Sequence, residues 1–406
     1  MTIMKITAIE TIRVAEFPNL LWVQVHTDEG ISGLGETFYG AAAVEAHIHE
    51  VAAPQLIGRD PLAIDAISRL LAGYVGFRST GAETRAASAI DIALWDVFGK
   101  VAGQPIWQLL GGRTRDSIRT YNTCAGSHYV RSTRGQSTEN WGRGVTKVTG
   151  HDDLEAFMTR ADELAADLLE SGITAMKIWP FDPAAERNMG AYISPEELRD
   201  ALKPFERIRK AVGDRIDIMV EFHSLWLLPP AIRIAEALAP FDTFWHEDPI
   251  RMDSLGSLKR YAARSRAPLC ASETLGTRWA FRDLLETESA GVIMLDLGWC
   301  GGLSEARKIA AMAETWHLPV APHDCTGPVV LTASTHLCLN ATNALVQESV
   351  RAFYNGWYQD LVTQLPPVRG GMITVPDGPG LGLELHDDLD QRLTVTRRRY
   401  DAGSAA

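Results

Sequence analysis

Cysteine is scarce: five residues, Cys124, Cys270, Cys300, Cys325 and Cys338, in a chain of 406. The number is odd and no two stand as C-x-x-C, which argues against a disulfide framework or a structural zinc knot. Basic charge is in short supply too. Thirty-nine Lys and Arg stand against 51 Asp and Glu, a net charge of −12. So acidic a chain is poorly suited to gripping a phosphate backbone and is repelled by anionic membrane surfaces. Neither nucleic acid nor membrane is an expected partner. No stretch approaches the roughly 18 uninterrupted apolar residues of a transmembrane helix. The opening MTIMKITAIETIRVA alternates like a strand and lacks the apolar core of a signal peptide. A reduced, cytoplasmic setting is the expectation, in which the Asn340-Ala341-Thr342 sequon is idle. There is no phosphate-binding G-x-x-x-x-G-K-[ST] loop and no G-x-S-x-G elbow, and Gly33-Leu34-Gly35 lacks the third glycine and following helix of a dinucleotide fingerprint.

What is present reads as globular, with 46% hydrophobic and 22% charged residues. Residues 3–38 predict an antiparallel meander, with Asp28-Glu29-Gly30 as a turn. Helical stretches follow near 41–53, after Pro61, and over AETRAASAIDIALWDVFGKVAG, which stops at Gly103 and Pro105. Strands followed by helices predict an α+β unit of ~110 residues. From about 117 to 348 short apolar runs alternate with helical ones, and most runs end in a polar or ionisable residue. Six of those ends fall at 221, 247, 273, 296, 323 and 348, spaced by 26, 26, 23, 27 and 25 residues. That is one strand plus one helix each time, and eight such units predict a parallel (β/α) barrel. The runner-up, an open doubly wound sheet, does not explain chemistry at nearly every strand end. A Gly-, Ser- and Thr-rich segment at 124–153 is long enough to be a lid or a solvated insertion.

Glu221, Glu247 and Glu273 end three successive strands. Neighbouring strands lie about 4.8 Å apart, so the three carboxylates converge. Their mutual repulsion calls for a hard divalent cation, and oxygen-only ligation suits Mg²⁺. His323 and Asp296 end adjacent strands, where an Asp can fix the imidazole tautomer and raise its basicity. Lys177 can donate to a substrate carboxylate, act as a base, or pair with the metal-site glutamates. His223, two residues past Glu221, shares its face if the strand continues; it is either an acid for a leaving hydroxyl or a structural hydrogen bond. Glu348 can hydrogen-bond substrate or pair with Lys177. Trp179, Trp226, Trp245 and Trp299 lie near strand ends, as pocket wall or as packing.

The chain resembles the enolase superfamily, in its mandelate racemase-like branch. The resemblance covers nearly the whole chain and rests on ALWDVFGKVAGQPIWQLLGG (93–112), AMKIW, VEFHS, HEDP, ASET, DLGWCGG, APHD and QES. It implies a modified (β/α)7β TIM-type barrel with an α+β capping domain, divided as 1–115 (cap), 116–350 (barrel) and 351–406 (a segment returning to the cap). It implies Mg²⁺ held by Glu221, Glu247 and Glu273, His323 as base with Asp296 as partner, and Glu348 on the substrate carboxylate. Lys177 matches the first lysine of the family's K-x-K motif; the second is Trp179 here. The F-H after Glu221 is similar to relatives that dehydrate sugar acids. A homo-oligomer is implied as well.

The shared chemistry is removal of the proton α to a carboxylate, with the enediolate stabilised by charge. In the leading reading, His223 then protonates a departing β-hydroxyl, and an aldonate or aldarate becomes a 2-keto-3-deoxy acid. The alternative is a cycloisomerase or racemase acting on an anhydro-sugar acid or lactone, with Lys177 and His323 as a pair. A third reading, a barrel kept as a metabolite-binding protein, predicts a broken constellation. Stereochemistry and chain length of the acid are expected to depend on residues near 15–21 and 124–153.

Overall fold

The computed structural model describes residues 4–73, 76, 80–131, 136–143 and 152–405. Strands β1 (Ile6–Val14), β2 (Leu20–Thr27) and β3 (Ser32–Phe38) form the expected meander. Gly30, at φ 76°, makes the turn between β2 and β3. The helix Ala82–Ala102 lies on this sheet and stops at Gly103 in the left-handed region. Gly33 and Gly35 exist for that packing. A Cβ on Gly35 would sit 1.8 Å from the Ala89 carbonyl, and one on Gly33 2.0 Å from that of Ala93. The glycine pair is therefore a helix-docking surface rather than a nucleotide loop.

Eight parallel strands follow: β4 (Ile118–Thr123), β5 (Ala175–Ile178), β6 (Asp217–Glu221), β7 (Trp245–Glu247), β8 (Leu269–Ala271), β9 (Ala290–Leu295), β10 (Val320–Pro322) and β11 (Gln347–Ser349). Each pairs in parallel with its sequence neighbour from β4 to β10, and β11 returns to β4, Gln347 opposite Thr120. Val320 of β10 bridges to Ala344 just before β11, which closes the ring. Closure excludes the open doubly wound sheet. Tyr121, Met219, Trp245, Cys270 and Met294 fill the barrel interior as a cluster distinct from the outer core.

After the barrel, β12 (Val368–Arg369) and β13 (Met372–Ile373) form a hairpin whose second strand runs antiparallel to β4. Strand β14 (Val395–Asp401) pairs antiparallel with β1 on the N-terminal sheet. The helices after β9 and β10, Gly302–Thr315 and Pro328–Asn340, have glycine at their N-caps and no capping side chain of their own. Carboxylates of the N-terminal unit do that work: Asp91 accepts from Ser304 N at 2.9 Å, and Glu36 from Val329 N at 3.1 Å and Val330 N at 2.9 Å. Among the described residues no helix is long and apolar enough to cross a membrane.

Candidate active site

Parallel strands bring their C-terminal ends to one mouth, and there the predicted residues meet. A small cavity opens onto Lys177, Glu221, His223, Glu273, His323 and Glu348. Glu221 and Glu247 sit opposite each other in the β6–β7 register. One oxygen from each of Glu221, Glu247 and Glu273 lies within 4.8 Å of the others, close enough to share one ion. Glu273 stands two residues beyond β8, so it reaches the cluster from a loop rather than from the strand itself.

Positive charge in the cluster comes from two side chains. Lys177 Nζ lies 2.6 Å from Glu247, 2.9 Å from Glu348 and 3.4 Å from Glu221. Burial alone would lower its pKa, but the Glu247 and Glu348 charges drive it well above the ordinary range. Lys177 is thus a fixed ammonium, which argues against its service as a base. His323 donates through Nδ1 to Asp296 at 2.7 Å, and its Nε2 lies 2.9 Å from Glu273. Burial works against the imidazolium, and Glu273 and Glu348 more than offset it.

The three glutamates do not behave alike. Burial pushes Glu221 up to about 7 and Glu247 well above the usual carboxylate range. Burial acts the same way on Glu273, yet the adjacent His323 holds its carboxyl at about 2. All three have a cation near, but Lys177 is shared among Glu221, Glu247 and Glu348, whereas Glu273 has the His323 imidazole against it. A divalent ion within reach of all three would remove the burial penalty on the first two, and the hard oxygen donors fit Mg²⁺. Trp245 Nε1 donates to the other Glu247 oxygen at 3.0 Å and fixes the carboxylate plane.

His223 reaches the cavity by a route the strand pattern did not predict. Strand β6 ends at Glu221, and His223 adopts a left-handed φ of 49°. Its Nδ1 lies 2.6 Å from Asp182, a buried carboxylate at the start of the short helix Asp182–Glu186 that follows β5. Asp182 was missed in the sequence, since it ends no strand and its partner lies 41 positions away. Tyr39, Tyr129 and Gln136 were also missed. They line the cavity as a chain, with Tyr39 Oη donating to Gln136 Oε1 at 3.1 Å and Gln136 Nε2 to Tyr129 Oη at 2.7 Å. Of the four tryptophans, Trp179 and Trp299 line the cavity; Trp245 packs in the barrel interior and Trp226 is buried. The 124–153 segment supplies Tyr129 and Gln136, but 132–135 and 144–151 lie outside the described residues. From 15–21, Asn19 braces that segment, donating to Val130 O at 2.9 Å. Glu348 receives Lys177, the Asp324 N–H at 2.9 Å and the Thr123 hydroxyl, so it holds Lys177 in place.

A closed barrel under a sheet-and-helix cap, with acidic residues at successive strand ends, is the architecture of the enolase superfamily. The N-terminal domain family of mandelate racemase and muconate lactonizing enzyme matches residues 5–111, and the enolase C-terminal domain-like family matches 160–389. A crystal structure of an enolase of the mandelate racemase subgroup from Agrobacterium tumefaciens is 64% identical, with TM-score 0.88, over 98% of this chain and 99% of that one. D-galactonate dehydratase of Ralstonia nicotianae is 30% identical over 98% of this chain and 95% of its own. D-xylonate dehydratase of Haloferax volcanii is 29% identical over 95% of this chain and 87% of its own. The chain belongs to the mandelate racemase-like branch of the enolase superfamily.

Proposed function

We propose that this protein is a lyase that dehydrates an acid sugar, an aldonate or aldarate, to a 2-keto-3-deoxy acid. The observation that carries the reading is a pair of imidazole–carboxylate couples opening on one cavity, His323–Asp296 and His223–Asp182. Dehydration needs one group to take a proton and another to give one. His323 takes the α-proton at Nε2, because Nδ1 is committed to Asp296. Lys177 stabilises the charge that develops on the substrate carboxylate, and Glu348 holds Lys177 there. Glu221, Glu247 and Glu273 would hold Mg²⁺, which would supply further positive charge against the developing oxyanion. His223 protonates the β-hydroxyl, whose bond to carbon breaks as water leaves, and the enol product tautomerises to the keto acid. The D-galactonate and D-xylonate dehydratases similar to this chain support an acid-sugar substrate. Racemisation is disfavoured by Lys177, which is locked as a cation among three carboxylates, and by Trp179 in the place of a second lysine. The reading carries with it the division into 1–115, 116–350 and 351–406, a cytoplasmic location and a homo-oligomer.

The test is a panel of aldonates and aldarates incubated with Mg²⁺ and scored for keto-acid formation. At least one member should be dehydrated, activity should vanish with a chelator, and His323→Asn should abolish α-proton exchange in D₂O. Exchange or isomerisation across the panel without any keto acid would replace the dehydratase reading with the isomerase one.

A further inference from the structure

The end of β3 touches both loops that carry the His323–Asp296 couple. Thr37 Oγ1 donates to Gly298 O at 2.8 Å, two residues past Asp296, and Trp299 Nε1 donates to Phe38 O at 3.1 Å. Glu36, with none of its surface exposed, spans the gap to the other loop. One of its oxygens receives Trp22 Nε1 at 2.7 Å, and the other receives the first-turn amides of Val329 and Val330. Those amides open the helix Pro328–Asn340, which starts five residues after His323. The helix's own N-cap is Gly327, and a Cβ there would come 2.3 Å from Glu36 Oε1. Glu36 occupies the space and does the job of the missing cap.

We propose that Glu36 is a positioning residue for the base: a capping carboxyl group, lent by the N-terminal sheet, that fixes the segment from His323 to Pro328 and so sets the imidazole against Asp296. The warrant is geometric. Buried first-turn amides need an acceptor, and the nearest local residue cannot supply one. A base displaced by a fraction of a hydrogen-bond length loses rate without losing substrate affinity. The idea rests on His323 being the base of the dehydration proposed above.

The experiment is a double-mutant cycle in the full-length, Mg²⁺-loaded protein, using the acid sugar that the panel identifies. Glu36→Ala should lower kcat about 100-fold with KM held within about threefold, the size expected of a misplaced group. Gly327→Ser alone should also impair the enzyme, because its side chain meets Glu36. Glu36→Ala with Gly327→Ser should recover at least about tenfold of the kcat lost in Glu36→Ala, the serine capping locally where the carboxylate has gone. Glu36→Gln keeps the shape and serves if the alanine variant does not fold, with a kcat loss of about tenfold expected from a carboxamide N–H placed against the amide or indole donors. A folded Glu36 variant with wild-type kcat, or a double variant no better than Glu36→Ala, overturns the proposal. If the wild type dehydrates no acid sugar, the dehydratase reading falls, and Glu36 is then judged by the low-field proton resonance of the His323–Asp296 hydrogen bond. That resonance should shift or vanish in Glu36→Ala and return with Gly327→Ser; an unmoved signal overturns the proposal.

Discussion

His223 and His323 carry the same kind of partner on the same ring nitrogen, yet the chemistry proposed for them differs. Asp182 lies 2.6 Å from Nδ1 of His223, and Asp296 lies 2.7 Å from Nδ1 of His323. Burial opposes charge on His223, but Asp182 raises its pKa above the ordinary imidazole value. His323 is raised as well, by Glu273 and Glu348, so the roles divide by position: a cation on Glu273 would take up that charge and leave the His323 Nε2 to accept a proton, while His223 keeps Asp182 and can give one. His323 touches Glu273, so its Nε2 stands beside the glutamate cluster where the α-carbon's carboxylate is expected to bind. The two roles separate experimentally. His223→Gln should lower keto-acid formation by about 10² to 10⁴-fold, the range for loss of a general acid, while α-proton exchange continues. Asp182→Asn should act in the same direction and more weakly, since the ring remains. Both are read by following deuterium incorporation beside keto-acid release. Keto-acid release unchanged in His223→Gln would remove this residue from the reaction.

At the scale of elements, the cap and the barrel are joined by helix ends. The helices Gly302–Thr315 and Pro328–Asn340 begin with Gly301 and Gly327 at their N-caps and borrow Asp91 and Glu36. Asp91 sits on the helix Ala82–Ala102 and is buried, and a Cβ on Gly302 would come 2.4 Å from its Oδ1. Removing it leaves a buried amide without an acceptor. Asp91→Ala should therefore cost about 1–3 kcal/mol, with Asp91→Asn costing less, as measured by urea unfolding; equal stability of Asp91→Ala and wild type would show that water replaces the cap. These joints were invisible in the sequence for a simple reason. The barrel was legible because its strand ends recur at one strand plus one helix, and Glu221, Glu247, Glu273, Asp296, His323 and Glu348 lie at those ends or within two residues of them. Asp91, Glu36 and Asp182 obey no such period. Asp91 meets Ser304 across 213 positions and Glu36 meets Val330 across 294. A cap supplied from that distance leaves only a glycine where a serine or aspartate is usual. His223 was legible through the residues beside Glu221, but the argument from strand alternation was not the reason it lines the cavity; the chain turns left-handed there instead.

For the whole molecule, four of the buried groups outside the glutamate cluster show how burial couples stability to pH. Burial raises Glu36 from 4.5 to about 8, aided by the Asp296 charge and opposed by its three N–H donors, and raises Asp91 from 3.8 to about 7. Burial lowers His246 from 6.5 to about 3 and His336 from 6.5 to about 4. The two carboxyls hold protons more tightly folded than unfolded, so their contribution is complete below their ordinary pKa values and is lost as pH rises toward 7 and 8. The two histidines stay neutral in the fold, so their contribution is complete above 6.5 and is lost as pH falls toward 3 or 4. Between roughly 4.5 and 6.5 the two slopes oppose each other, about two protons each way. Above 6.5 only the carboxyls remain. These four groups together contribute a plateau from about pH 5 to 6.5 and a decline by pH 8, with Glu36 accounting for at most roughly 5 kcal/mol of the full span at about 1.4 kcal/mol per pH unit. Glu36→Gln changes the height of the curve through the lost cap, so the informative quantity is the slope. Between pH 6.5 and 8 that slope should be shallower than in wild type by nearly one proton, measured by urea unfolding at closely spaced pH values. A slope between pH 6.5 and 8 untouched by Glu36→Gln would mean that Glu36 is already ionised in the fold at neutral pH, held so by the indole and the two amides that it caps.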